Sequence, residues 1–266
     1  MFTKKIKDRI KVRALHLVQP GISYLLEMDR RVVATALLHQ RTFLPFKNIC
    51  EGKKLVVCGA GPTLNKYIPI ENAVHLGVNR SFLYDKVEFD YIFAQDWDGI
   101  KMVQPQLINY RPNQCVKFFG SYLLTTPKEI PESFAIACNA LRFNMDYYIH
   151  KSFKSKFVKD IDRMAIGGMP NVGISVMQLA LYMNPAELYI VGCDMSGAHF
   201  ANGNHTKEQI KAEKKMLEEK WKNDHDKLIA KWLEFKEFAA LHYPSTKIFS
   251  VNPVGLRGVF EDIDQY

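Results

Sequence analysis

The chain has 266 residues, 47% hydrophobic and 24% charged, with a net charge of +8. These proportions fit a globular protein of one large domain, or one domain with an appendage, long enough to bury a full core. No run approaches the roughly 18–20 apolar residues of a membrane-spanning helix, and the basic start MFTKKIKDRIKVRALHLVQ lacks the apolar segment and cleavage site of a secretory signal.

Residues 1–13 hold Lys4, Lys5, Lys7, Arg9, Lys11 and Arg13 against Asp8. Ile6, Ile10 and Leu15 share a helical face with these bases. Such an arm is either solvated or attached to an anionic membrane surface or a membrane-bound partner. No RNP, zinc-finger or helix-turn-helix signature accompanies it, so nucleic acid is not an expected partner. Residues 5–44 read as helical, broken near Gln19-Pro20-Gly21.

KKLVVCG reads as a buried strand, since four apolar residues in a row suit a parallel sheet covered on both faces. A helix is expected from Pro62. AVHLGVN (73–79), FDYIFAQD (89–96) and CVKFFGS (115–121) read as the next strands. Residues 122–165 give only short elements and loops. GGMPNVGISVMQLALYM (167–183) opens as a glycine-rich loop and continues as an apolar helix. AELYIVGCD (186–194) is the clearest later strand. Residues 206–242 form a long helix, with Trp221, Trp232, Phe235 and Phe238 on its apolar face. KIFSVNP (247–253) reads as the last strand. Five cysteines, Cys50, Cys58, Cys115, Cys138 and Cys193, form no CxxC pair and are odd in number. They read as reduced thiols of a cytosolic protein, Cys58 and Cys193 as small core residues.

Alternating strands and helices predict an α/β fold: a Rossmann-like, mostly parallel sheet with ligands at the carboxyl ends of its strands. The expected division is a basic helical extension over 1–48 and a nucleotide-binding catalytic domain over 49–266.

Six constellations fall at that ligand edge. In Gly59-Ala60-Gly61-Pro62-Thr63, the glycines permit a tight turn and close approach of a ligand. Pro62 suits the first position of a helix whose free amides would face a phosphate, with Thr63 adding a hydroxyl. The third glycine of a dinucleotide fingerprint is missing and no acidic residue ends the second strand, which argues against NAD; no G-K-[ST] follows, so this is not a Walker A loop. Asn79-Arg80 would touch base, sugar or phosphate. Asp96 and Asp98 would hold either a ribose or amine (Asp96 alone) or a metal–diphosphate. Asn171, Val172 and Gly173 open the apolar helix with amides toward the same edge. Asp194 ends a buried strand, and His199 and His205 follow in a small-residue loop that could close over a substrate. Asn252-Pro253 brings a polar turn to the same edge.

The order of these pieces resembles the bacterial family-42 sialyltransferases and the broader family of motility accessory factors and 6-hydroxymethylpterin pyrophosphokinase-like proteins. The pattern is a strand then G-x-G-P-[ST]-L, a strand ending in Asn, a glycine-bearing loop and helix, then [LIV]-x-G-x-D and a late Asn-Pro turn, over roughly residues 50–260. The resemblance implies a GT-A-variant fold. It implies nucleotide contacts from Gly59 to Thr63, Asn79, Asp96, Asn171, Val172, Gly173, Gly192 and Asp194. Met195 to Asn204 has no counterpart of the family's tyrosine pair, and its catalytic His falls on His199, His205 or His225. The wording of 167–197 is closer to the motility-factor and pterin-kinase-like branch.

The leading expectation is a glycosyltransferase of bacterial surface-glycan assembly, taking a CMP-linked acidic sugar such as sialic acid or a relative to a glycan acceptor. It would be cytoplasmic and peripheral at the inner face of the membrane. No cofactor is required; Mg or Mn would enter only through Asp96 and Asp98. An oligomer is compatible with the sequence. The alternatives are an ATP- and Mg-dependent pyrophosphokinase and a non-catalytic scaffold that binds a nucleotide or glycan.

Overall fold

The computed structural model describes residues 33–122, 129–146, 155–195, 199 and 207–265. Among these, eight strands make one sheet: β1 (Lys54–Cys58), β2 (Ala73–Val78), β3 (Tyr91–Ala94), β4 (Val116–Tyr122), β5 (Leu141–Met145), β6 (Glu187–Val191), β7 (Lys247–Val251) and β8 (Glu261–Ile263). Their order is β5-β4-β3-β2-β1-β6-β7-β8, and every pairing is parallel. The chain therefore winds outward from β1 to β5, crosses back beside β1, and winds outward again. The expected α/β, Rossmann-like architecture is the one observed.

The apolar runs work as two-faced strands. Leu55, Val57, Leu188 and Ile190 pack into one core, Val56, Cys58, Tyr189 and Val191 into the other. The first core is roofed by the 33–43 helix (α1), by α4 (Val172–Ser175), by α5 (Met177–Tyr182) and by α6 (Lys207–His242). The second is covered by α2 (Gln104–Asn109), α3 (Glu132–Ala137) and several 3-10 turns. Trp232 and Phe235 of α6 are buried and Phe238 packs beside them, as its apolar face predicts; nothing is described of the Trp221 side chain.

The 33–43 helix joins this core. Phe43 is fully buried and stacks on Phe118 with centroids 5.8 Å apart. His39 is fastened at both ring nitrogens: Nδ1 donates to the Ile161 carbonyl at 2.7 Å, and Nε2 accepts from the Asn144 amide at 2.7 Å. A carbonyl can only accept, so the tautomer is set. The basic residues 1–13 and the break near Pro20 lie outside the described residues.

Three expectations are corrected. The helix from Pro62 is a five-residue 3-10 turn, Pro62–Lys66, with Pro62 at its first position. The apolar helix after the second glycine loop is interrupted at Val176, which separates α4 from α5. KIFSV is not the last strand, because Glu261–Ile263 adds β8 at the sheet edge. The described residues of 122–165 hold short elements as expected, α3 and β5. Among the described residues no helix is long and apolar enough to cross a membrane.

Candidate functional site

The strand order reverses between β1 and β6, and the crevice beyond the carboxyl ends of such strands is where open α/β sheets bind ligands. A cavity of about 90 Å³ opens there. Its walls come from the ends of three strands: Gly59 to Gly61 after β1, Val78 and Asn79 at β2, and Gly192 to Met195 after β6. Asn171, Val172 and Gly173 close it from the start of α4, with His199 and Trp232 completing the lining.

The two glycine turns fit against each other. The Gly59 amide donates to the Val191 carbonyl and the Gly61 amide to the Gly192 carbonyl, each at 2.8 Å. A Cβ on Gly59 would overlap the backbone of Gly192, and one on Gly61 would overlap both that backbone and the Asp194 carboxylate. Gly192 itself takes φ +67, a left-handed conformation natural to glycine. The glycine pair is thus required by the close fit of two turns of the same chain.

Thr63 and Asp194 change meaning for the same reason. The Thr63 amide donates to Asp194 Oδ2 at 2.7 Å, and its hydroxyl donates to Oδ1. Burial pushes the Asp194 carboxyl above its ordinary range, while the two bonds from Thr63 pull it down. The Leu64 amide is bonded to the Gly61 carbonyl. The amides of 59, 61, 63 and 64 are therefore engaged within the protein, and a carboxylate already faces the turn. The expected phosphate cradle of free helical amides is not formed by this loop.

Asn79 stands in the left-handed region, φ 53, which an asparagine tolerates better than most residues. Its Oδ1 is buried and has no hydrogen-bond partner. Asn171 caps α4, its Oδ1 accepting from the Gly173 amide at 2.6 Å. A buried polar network fixes the glycine loop leading to it. Ser175 Oγ donates to Gln95 Oε1 at 2.6 Å and accepts from the Met169 amide at 3.1 Å. Ser155 Oγ donates to the Gly168 carbonyl at 2.8 Å, and Gln178 Nε2 donates to the Gly167 carbonyl at 3.3 Å. Gln95, Ser155, Ser175 and Gln178 carry no signal in the sequence, since isolated polar residues in apolar runs announce no partner.

His199 Nδ1 lies 3.3 Å from the Ala60 carbonyl, which requires the proton on Nδ1 and leaves Nε2 with its lone pair when the ring is neutral. His205 lies outside the described residues. His225 does not line the cavity; it is exposed on α6 beside Asp226, Nδ1 to Oδ1 3.2 Å.

Other expected contacts lie elsewhere. Arg80 is buried outside the lining. Asp96 caps a 3-10 turn by accepting from the Gly99 amide at 3.1 Å, and Asp98 pairs with Lys101 at 2.8 Å on the surface. Neither aspartate lines the cavity. Among the described residues no group of three or more His, Cys, Asp and Glu could hold a metal ion. Asn252 opens onto a neighbouring hollow of about 380 Å³ with Thr63, Lys66 and Arg257. Its Oδ1 accepts from the Gln265 amide at 2.7 Å and ties the chain end to β7.

Two lining residues, Cys193 and Trp232, have the sequence context of core residues. Cys193 is half-buried in the wall, its thiol pushed up to about 12 chiefly by burial, so it stays protonated at neutral pH. Trp232 is 1% exposed, and its Nε1 has no partner. A buried donor left without an acceptor costs about 1–3 kcal/mol.

No protein-family model matches the chain, and no curated protein does. Among solved structures it is similar to the sialyltransferase CstII from Campylobacter jejuni in complex with a substrate analogue, CMP-3FNeuAc. There the identity is 16% and the TM-score 0.43, over 79% of this chain and 86% of that one. It is also similar to the sialyltransferase Cst-II in complex with a trisaccharide acceptor and CMP, at 15% identity and TM-score 0.40, over 74% of this chain and 80% of that one. A likeness of this degree assigns neither a substrate nor a residue.

Proposed function

We propose that the chain is a glycosyltransferase that takes a sugar from a nucleotide donor, a CMP-linked acidic sugar such as sialic acid or a relative, and passes it to a glycan hydroxyl. One observation carries this reading. Most of the residues that the motif pattern marks for a nucleotide, Gly59 to Gly61, Asn79, Asn171 to Gly173, Gly192 and Asp194 but not Pro62, Thr63 or Asp96, come from four separate stretches and line one cavity at the β1/β6 switch point, with a histidine at its wall.

In the proposed reaction the acceptor oxygen attacks the anomeric carbon, and the bond from that carbon to the phosphate oxygen breaks. The electron pair leaves with the nucleotide. His199 takes the acceptor proton at Nε2, held in the required tautomer by the Ala60 carbonyl. The protein's own part is to orient the donor and supply the base; a metal is not required in this scheme. Synthesis of a surface glycan at the inner face of the membrane, with residues 1–13 as the attachment, belongs to the same proposal.

The test is transfer from CMP-linked acidic sugars to glycan acceptors, read as release of CMP. Turnover by the full chain that His199→Asn lowers by about 10²–10⁴, with little change in donor KM, supports the reading. Absence of turnover and of donor hydrolysis across CMP-, UDP- and GDP-sugars would count against it.

A further inference from the structure

The α1 helix is polar on the inside and apolar on the outside. Its inward face carries Thr35, His39 and Thr42, all buried, beside Phe43. Its outward face carries Val33 and Leu37, 53% and 58% exposed. Leu44, 51% exposed, opens the following 3-10 turn about three helical turns after Val33 and extends the same line. A surface helix of a water-soluble fold ordinarily does the reverse, with its apolar stripe on the core and its polar side in water. Exposed apolar side chains in a continuous line mark an interaction surface.

Hydrogen bonds fix this orientation. Thr35 Oγ1 accepts from Asn144 Nδ2 at 2.9 Å, His39 is bonded at both ring nitrogens, and Thr42 Oγ1 donates to the Arg142 carbonyl at 2.7 Å. Rolling the helix to bury Leu37 would strip three buried side chains of their partners. Charge then says what the outer face meets. Arg41 is exposed one turn after Leu37, and from Arg30 to Cys50 the sequence holds Arg30, Arg31, Arg41 and Lys47 with no Asp or Glu. A second copy seated on this face would bring arginine toward arginine about the two-fold axis. Residues 1–32 have the same sign, eight Lys and Arg against three Asp and Glu, and offer no counter-charge either. A surface that is anionic outside and apolar beneath answers both features.

We infer that the outer face of α1 lies in the interface of an anionic lipid bilayer. Val33, Leu37 and Leu44 enter the boundary between headgroups and acyl chains, and Arg41 stays at the level of the lipid phosphates. This contact is separate from attachment by residues 1–13. The attraction of the basic arm is screened by salt, whereas burial of the apolar line is not. The contact also stands apart from the candidate site and holds whatever the cavity binds.

The experiment is flotation of the full chain with phosphatidylglycerol vesicles at about 0.5 M salt, where the arm's attraction is screened. The wild type should still bind, and Leu37→Glu should lower that binding at least about tenfold while leaving the melting temperature unchanged, since the side chain is exposed. Should Leu37→Glu fail to fold, Leu37→Trp decides: its added fluorescence should be quenched by vesicles brominated in the acyl chains, beyond any quenching of the wild type. Equal binding by Leu37→Glu and the wild type, an unquenched Leu37→Trp, or no binding by the wild type at this salt overturns the inference. So does a lipid-free dimer, measured by sedimentation equilibrium, that Leu37→Glu splits into monomers, because the face would then be covered by a second copy. None of these outcomes bears on nucleotide binding, which is read separately.

Discussion

The carboxylate of Asp194 grips Thr63 by both its backbone amide and its hydroxyl, across 131 residues of chain. This bond pair joins the turn after β1 to the turn after β6 and sets the floor of the cavity. Burial holds the Asp194 pKa above its unfolded value, and a raised acid pKa means that ionisation opposes folding. Its contribution is fully present below about pH 4, the unfolded carboxyl range, and is lost as pH rises through the folded pKa.

Asp194→Asn can keep both bonds, with the amide oxygen accepting from the Thr63 N–H and the amide nitrogen donating to its hydroxyl. At pH 7.5 it should be at least as stable as the wild type to within about 1 kcal/mol, whereas Asp194→Ala leaves the Thr63 groups without an acceptor and should cost about 1–3 kcal/mol. Urea unfolding of both variants checks this. Equal losses for the two would mean that the charge itself supports the fold.

Gly59→Ala and Gly61→Ala should both destabilise the fold. Each drives a methyl into the fixed backbone of Gly192, and the second meets the Asp194 carboxylate as well. Overpacking of this kind costs about 1–3 kcal/mol. Thermal unfolding of both variants in the absence of ligand measures it. An alanine at 59 that leaves the midpoint unchanged would show that the turns are not in contact.

How much of this was legible beforehand differs by feature. LVVC and LYIV announce central parallel strands, because residues buried on both faces leave no polar alternation. EDI does not, since β8 is three residues at an exposed edge with two acids among them. The glycine pair, Asn79 and Asn171 stand out because turns and helix starts demand their residue types. Thr63 with Asp194 does not, because no local rule pairs residues so far apart. Trp232 sits on the apolar face of α6 and reads as core; only the winding of the chain places it at the cavity. Pro62 marks a helical start correctly but says nothing of its length, and the turn ends after five residues.

His39 gives the fold an acid limit. Burial is the main cause lowering its pKa, against the Ile161 and Met164 backbone bonds that raise it. A lowered pKa means stability that is present above the unfolded value near 6.5 and falls as the unfolded chain takes up a proton. Stability should therefore decline between about pH 7 and 5, by up to about 1.4 kcal/mol per pH unit from this residue. His39→Ala should lower stability at pH 7.5 by about 2–4 kcal/mol and flatten that part of the curve. An unaltered pH profile in the variant would assign the acid sensitivity elsewhere.

The basic arm predicts binding to anionic vesicles that weakens steeply between about 0.05 and 0.5 M salt, because such attraction is screened over roughly 10 Å at 0.1 M. Co-sedimentation with phosphatidylglycerol vesicles, with and without residues 1–13, measures it. Equal binding by the truncated chain would remove the arm from the account.

The most direct test of the central claim is isothermal titration calorimetry of the full chain with CMP, beside UDP, GDP, ATP and NAD. The account predicts saturable binding of CMP, tighter than that of the others, and at least about tenfold weaker in Asn79→Ala. No saturable binding of any nucleotide, or CMP binding that Asn79→Ala leaves unchanged, would contradict it.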